Sequence, residues 1–129
     1  MRFVFRADAS MSIGSGHVMR SSAIAEEAIA RGIPSLFVGK ISELAWVSER
    51  IMGLGFMQVF ENSSEFIPDE NEDILIIDSY EIPTDDVFVQ LRNWSKVVSI
   101  FDELTPDYSC DLRIHPGLTK AWPKRFSVA

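Results

Sequence analysis

Short apolar runs alternate along this chain with longer segments whose apolar positions recur every three or four residues. Residues 3–5 (FVF) read as a buried strand, and residues 18–31 as a helix with Val18, Ser22, Ala25 and Ile29 on one stripe. Gly32 and Pro34 stop that helix. Residues 35–38 predict a second strand, residues 43–54 a second helix carrying Leu44, Val47 and Ile51, and residues 56–60 a third strand. Residues 73–78 put four consecutive apolar residues before an acid, the pattern of a strand buried on both faces. Thr84 is placed to cap a helix reaching about Trp94, with Asp85 and Asp86 in its first turn. Residues 96–101 predict a fifth strand and 111–114 a sixth. The alternation implies an α/β, Rossmann-like domain: a mostly parallel sheet with helices on both faces.

Such sheets bind ligands beyond the carboxyl ends of their strands. Three polar segments fall there, namely the loop after the first strand, Asp78-Ser79-Tyr80 after the fourth, and Asp102-Glu103 after the fifth.

The first loop carries the most chemistry. Gly14-Ser15-Gly16 sits at a strand-to-helix junction, where tight turns and unpaired helix-start N–H groups suit an anion, although an ordinary turn has the same composition. A β-branched residue at Gly16 is expected to suffer from a positive φ. A dinucleotide fingerprint needs a third glycine where Met19 stands, and a P-loop needs Ser or Thr where Ile41 follows Lys40. His17 opens the helix, with Arg20 and Ser21 three and four residues on. A helix N-terminus favours neutral imidazole, which suits His17 to general-base work; a capping role is the plainer alternative. Arg20 equally fits a solvated helix face.

The net charge of -7, with no basic stripe, argues against nucleic acid as a partner. Apolar runs fall far short of the ~20 residues that span a bilayer, so no membrane partner is expected, and the single cysteine, Cys110, fits a reducing, cytoplasmic setting.

The stretch "RADASMSIGSGHVMR" (residues 6–20), with "IIDSYEIP" and "SIFDEL" further on, resembles the N-terminal half of the UDP-sugar hydrolases of pseudaminic acid synthesis and their spore coat polysaccharide relatives. The resemblance runs over residues 1–105. It implies a two-domain architecture like that of GT-B glycosyltransferases, with the active site between two Rossmann-like halves. It makes residues 1–129 one N-terminal domain, with a C-terminal nucleotide-binding domain outside this chain. The substrate implied is a UDP-linked diacetamido-trideoxyhexose. His17 then activates the water that attacks the anomeric carbon, Tyr80 lies in the sugar site, and Gly14, Ser15 and Gly16 form the turn, with Arg20 and Ser21 beside it. Asp8 and Ser10 either bind the sugar or shape the turn. No cofactor or metal is implied, and UDP is already a good leaving group. Past Asp111 the resemblance loosens, because His115-Pro116-Gly117 stands where the family continues differently.

Two other functions fit the same residues. In a glycosyltransferase His17 deprotonates an acceptor hydroxyl; a non-catalytic sugar-binding module keeps only the loop. The remaining polar and aromatic residues take plainer roles. Asp102 and Glu103 suggest an acid pair, but neighbours on an extended end point apart, so a loop role is expected. Residues 65–73 read as a solvated loop, His115 as a turn residue, and Trp46, Trp94 and Trp122 as packing.

Overall fold

The computed structural model describes residues 1–116. Its strands are β1 (Arg2–Arg6), β2 (Ser35–Val38), β3 (Val59–Phe60), β4 (Asp73–Ile77), β5 (Lys96–Ile100) and β6 (Leu112–Ile114). They form one six-stranded sheet in the order β3-β2-β1-β4-β5-β6, with every pairing parallel. That is the Rossmann order, and it puts the reversal of winding between β1 and β4. The third strand is shorter than its apolar pattern predicts, since only its last two residues pair with β2.

Alternate side chains of the central strands feed two separate cores. Phe5, Phe37, Ile76 and Ile100 lie with Val18 and Ala25 of α1 (Gly16–Ala30) and Val47 and Ile51 of α2 (Ala45–Gly53). Val4, Leu36, Leu75 and Val97 pack on the opposite face against Phe66, Phe88, Trp94 and Tyr108. Each fully buried aliphatic or aromatic side chain contributes ~1.5–3 kcal/mol.

Helical structure thus covers both faces, but of different kinds. Both α-helices serve one face, whereas the helix expected from Thr84 to Trp94 is two 3₁₀ turns, Val87–Val89 and Leu91–Asn93, split by an extended Gln90. The physical reason is local competition. Asp86, not Thr84, caps, accepting the Phe88 N–H at 2.8 Å, and β-branched Val87 and Val89 lower the helical preference. Phe88 and Trp94 still reach the core, where the indole N–H donates to the Phe88 carbonyl at 2.6 Å. Trp46 does not pack inside, being 53% exposed on α2, and Trp122 lies outside the described residues. Asp73, read as the end of a solvated loop, is fully buried and takes both Nε and Nη2 of Arg2, at 2.8 and 2.9 Å.

The loops after β1 and β2 are fastened together at the rim. Ala9 N–H donates to the Lys40 carbonyl at 2.9 Å, and Lys40 N–H to Asp8 Oδ1 at 2.8 Å. A Cβ on Gly39 would stand 1.7 Å from the Ala7 carbonyl oxygen, so the close approach of these loops requires glycine there. No helix among the described residues is long and apolar enough to cross a membrane.

Candidate active site

The loop between β1 and α1 is a small closed hairpin. Ser10 and Gly14 exchange backbone hydrogen bonds, Gly14 N–H to Ser10 O at 2.8 Å and Ser10 N–H to Gly14 O at 3.3 Å. Ser10 Oγ accepts the Ile13 N–H at 3.1 Å, and Glu43 accepts the Met11 N–H at 2.8 Å. The left-handed residue is Gly14, at φ +77°. Gly16, expected to hold a positive φ, does not; it is the first residue of α1, and a Cβ there meets open space. The conformational demand for glycine therefore sits two residues earlier than the sequence suggests, and Gly16 instead keeps the helix start uncovered. Ser15 precedes the helix without a side-chain cap.

That hairpin brings α1 in beside the end of β4, at the reversal of winding. His17 is the second residue of α1 and is 8% exposed, and the fully buried Asp78 follows β4. His17 Nδ1 lies 2.5 Å from Asp78 Oδ1. Arg20, one turn along, grips the same carboxylate twice, Nε to Oδ2 at 2.7 Å and Nη2 to Oδ1 at 2.6 Å. A carboxylate buried this deeply needs such a partner, and the bond to Asp78 pushes the Arg20 guanidinium further up. An acceptor on Nδ1 places the ring proton there and leaves the Nε2 lone pair free. Ser21 Oγ is the one buried side-chain polar atom without a partner among the described residues; Nε2, which has no hydrogen bond either, is thus open to solvent.

Tyr80, two residues after Asp78, stands edge-on to the imidazole, ring centres 4.3 Å apart and planes 85° apart. Its hydroxyl donates to Asp102 Oδ2, from the loop after β5. Asp102 is itself held: Oδ1 accepts the Leu104 N–H at 2.8 Å, and its own N–H donates to Thr105 Oγ1 at 2.9 Å. The hydrogen bond to Asp102, and then burial, push the Tyr80 phenol up. Burial alone would raise the Asp102 carboxyl, but the Tyr80 hydroxyl and the Leu104 N–H hold it below its ordinary value. Tyr108 fastens the segment after β4 from behind, donating to the Ile82 carbonyl at 2.7 Å; burial pushes its phenol up to about 12.

Ile13, Gly16, His17, Arg20 and Tyr80 line a cleft of about 330 Å³. Ile13 also borders a second cleft of about 500 Å³, whose wall includes Asp8, Ser10, Lys40, Glu43, Glu61 and Glu81. The loop after β5 lines neither cleft and joins this rim through the bond from Tyr80 to Asp102. Asp8 and Ser10 both brace the loop, and both line the larger cleft. Ser21, expected on the same polar face as His17 and Arg20, is fully buried and borders neither cleft, because the helix turns it inward. Asp78 and Asp102, which the sequence places at the rim without a part in the site, are the residues that hold His17, Arg20 and Tyr80. A signal for Asp78 existed: an acid closing a strand of buried apolar residues has to meet a cation, and Arg20 is the cation on the adjoining helix start.

Tyr80→Phe removes only the hydroxyl that meets Asp102. In the complete protein it is expected to keep the melting temperature within a few degrees and to weaken turnover or substrate binding. Wild-type kinetics in that variant would take Tyr80 out of the site.

No family model matches the chain, and no solved structure matches it significantly. A search of curated proteins finds similarity to the UDP-2,4-diacetamido-2,4,6-trideoxy-beta-L-altropyranose hydrolase of Campylobacter jejuni, at 30% identity over 125 residues. The alignment covers 89% of this chain and 41% of that protein. The chain spans about two fifths of the length of the curated relative it matches.

Proposed function

We propose that this chain is the histidine-bearing half of a nucleotide-sugar hydrolase that releases UDP from a UDP-linked diacetamido-trideoxyhexose, in pseudaminic acid or spore coat polysaccharide synthesis. The observation that carries the reading is His17 itself, with Nδ1 fixed by Asp78 and Nε2 open to a cleft at the reversal point of a Rossmann sheet. The similarity to a hydrolase named for such a substrate supports it.

In this reading His17 Nε2 takes a proton from water as the water oxygen bonds to the anomeric carbon. The bond from that carbon to the β-phosphate oxygen breaks, its electron pair leaves with UDP, and the proton passes from His17 to solvent. The Asp78 carboxylate supports the transient imidazolium, as general-base histidines require. The uncovered start of α1 offers backbone N–H groups to the diphosphate, and the larger cleft takes the sugar substituents. A second domain of GT-B type supplies the rest of the nucleotide site.

The test is made on the complete protein, with the diacetamido UDP-sugar in ¹⁸O-water and no added acceptor. UDP is expected to be released and to contain no label, since the carbon–oxygen bond is the one that breaks. Labelled UDP, or no release until an acceptor sugar is supplied, overturns the reading.

A further inference from the structure

The arrangement proposed above uses His17 and Asp78, with Arg20 holding the same carboxylate, and leaves unexplained why Tyr80 gives its only donor to a carboxylate in a third loop. We propose that Asp102 is a positioning residue, acting through Tyr80 to hold the His17 ring; this rests on the reading of His17 as the base.

The geometry is a chain of fixed contacts across three strand ends. Asp102 is anchored within its own turn, by the Leu104 N–H on Oδ1 and by Thr105 Oγ1 on its N–H. Its other oxygen, Oδ2, holds the Tyr80 hydroxyl. Tyr80 presents its ring at 85° to the imidazole, 4.3 Å away. His17 Nδ1 meets Asp78 at 2.5 Å and Arg20 Nη2 at 3.3 Å, so both contacts restrain the imidazole at that one atom and leave its far side free to swing. A perpendicular aromatic ring against it removes that freedom, and the aromatic ring is in turn fixed only if its far end is held. Arg20 and Asp102 are the charged groups that act on the Tyr80 phenol, so Asp102 also sets the field in which Tyr80 sits. The hydroxyl proton of Tyr80 is committed to Asp102, which leaves Tyr80 to meet a ligand as an acceptor and not as a donor.

The experiment compares the complete wild-type protein with Asp102→Asn, Tyr80→Phe and the double variant. Asp102→Asn is nearly isosteric: its single amide oxygen can keep the Leu104 N–H and with it the loop, while the NH₂ then facing Tyr80 cannot accept the hydroxyl and the charge is lost. It is expected to lower kcat about tenfold with KM within about twofold, the size of effect seen when an orienting partner is removed. In the Tyr80→Phe background the same change is expected to cost almost nothing further, as the two residues act in series. The Tyr80 phenol, followed by NMR of ¹³C-labelled tyrosine and assigned by its loss in Tyr80→Phe, is expected to titrate at lower pH in Asp102→Asn. Unchanged kcat, effects of the two changes that multiply independently, or an unmoved phenol each overturn the proposal. A wild-type protein that releases no UDP refutes the hydrolase reading instead, and the phenol titration then decides on its own whether Asp102 governs Tyr80.

Discussion

Asp78→Asn, introduced into the complete enzyme, is expected to lower kcat by as much as ~10⁴-fold while the sheet stays folded, the cost of a wrong tautomer at an oriented histidine. The carboxylate accepts the proton on His17 Nδ1 and two N–H bonds from Arg20. An asparagine amide can turn its NH₂ toward Nδ1, which moves the imidazole proton to Nε2 and removes the lone pair that faces the cleft. Arg20 loses its counter-charge as well, but its side chain is partly exposed and can move into solvent. The penalty on folding is therefore well below the ~3–5 kcal/mol that follows when a charge is stranded in the interior. Turnover and melting temperature, measured together, separate the two effects. A variant that loses stability and activity in proportion would make Asp78 a structural residue only.

The sheet was legible because parallel strands bury both faces and so spell themselves as unbroken apolar runs. Residues 74–77 and 36–38 are of this kind, and both lie in strands with nearly every residue out of solvent. The segment after β4 departs from its expected helix because its apolar residues, Val87, Phe88 and Val89, are consecutive and two of them are β-branched; Phe88 and Val89 reach the core from short turns, and an acidic start is compatible with a cap of either structure. The glycine loop was legible as a loop, but not the residue with the positive φ. Sequence shows where glycine stands, while the hydrogen bonds between Ser10 and Gly14 decide which glycine has to turn.

The site itself was half visible. His17, Arg20 and Tyr80 were expected near one rim, and they line one cleft. The acids that hold them stand at the same rim, but their pairings are not legible in the sequence, since Asp78 lies 61 residues from His17 and Asp102 lies 22 from Tyr80. Pairings of that span are set by strand order, and strand order follows from the crossover between β3 and β4, which local periodicity does not encode. Ser21 shows the converse. Helical spacing put it near His17 and Arg20, yet the rotation of α1 against the sheet decides which of these neighbours faces the cleft.

The central claim is that His17 moves a proton, and the turnover of His17→Asn in the complete enzyme tests it most directly. Asparagine is smaller and keeps some hydrogen bonding to Asp78, but it accepts no proton near neutral pH. General-base catalysis is worth ~10²–10⁴-fold, so kcat is expected to fall by that factor with KM little changed. The melting temperature serves as control, because asparagine is well tolerated near a helix start and His17 is the second residue of α1. A fall of 10²-fold or more in kcat, with melting and KM close to wild type, is the predicted result; turnover close to the wild-type rate would contradict it and leave the loop a binding element alone.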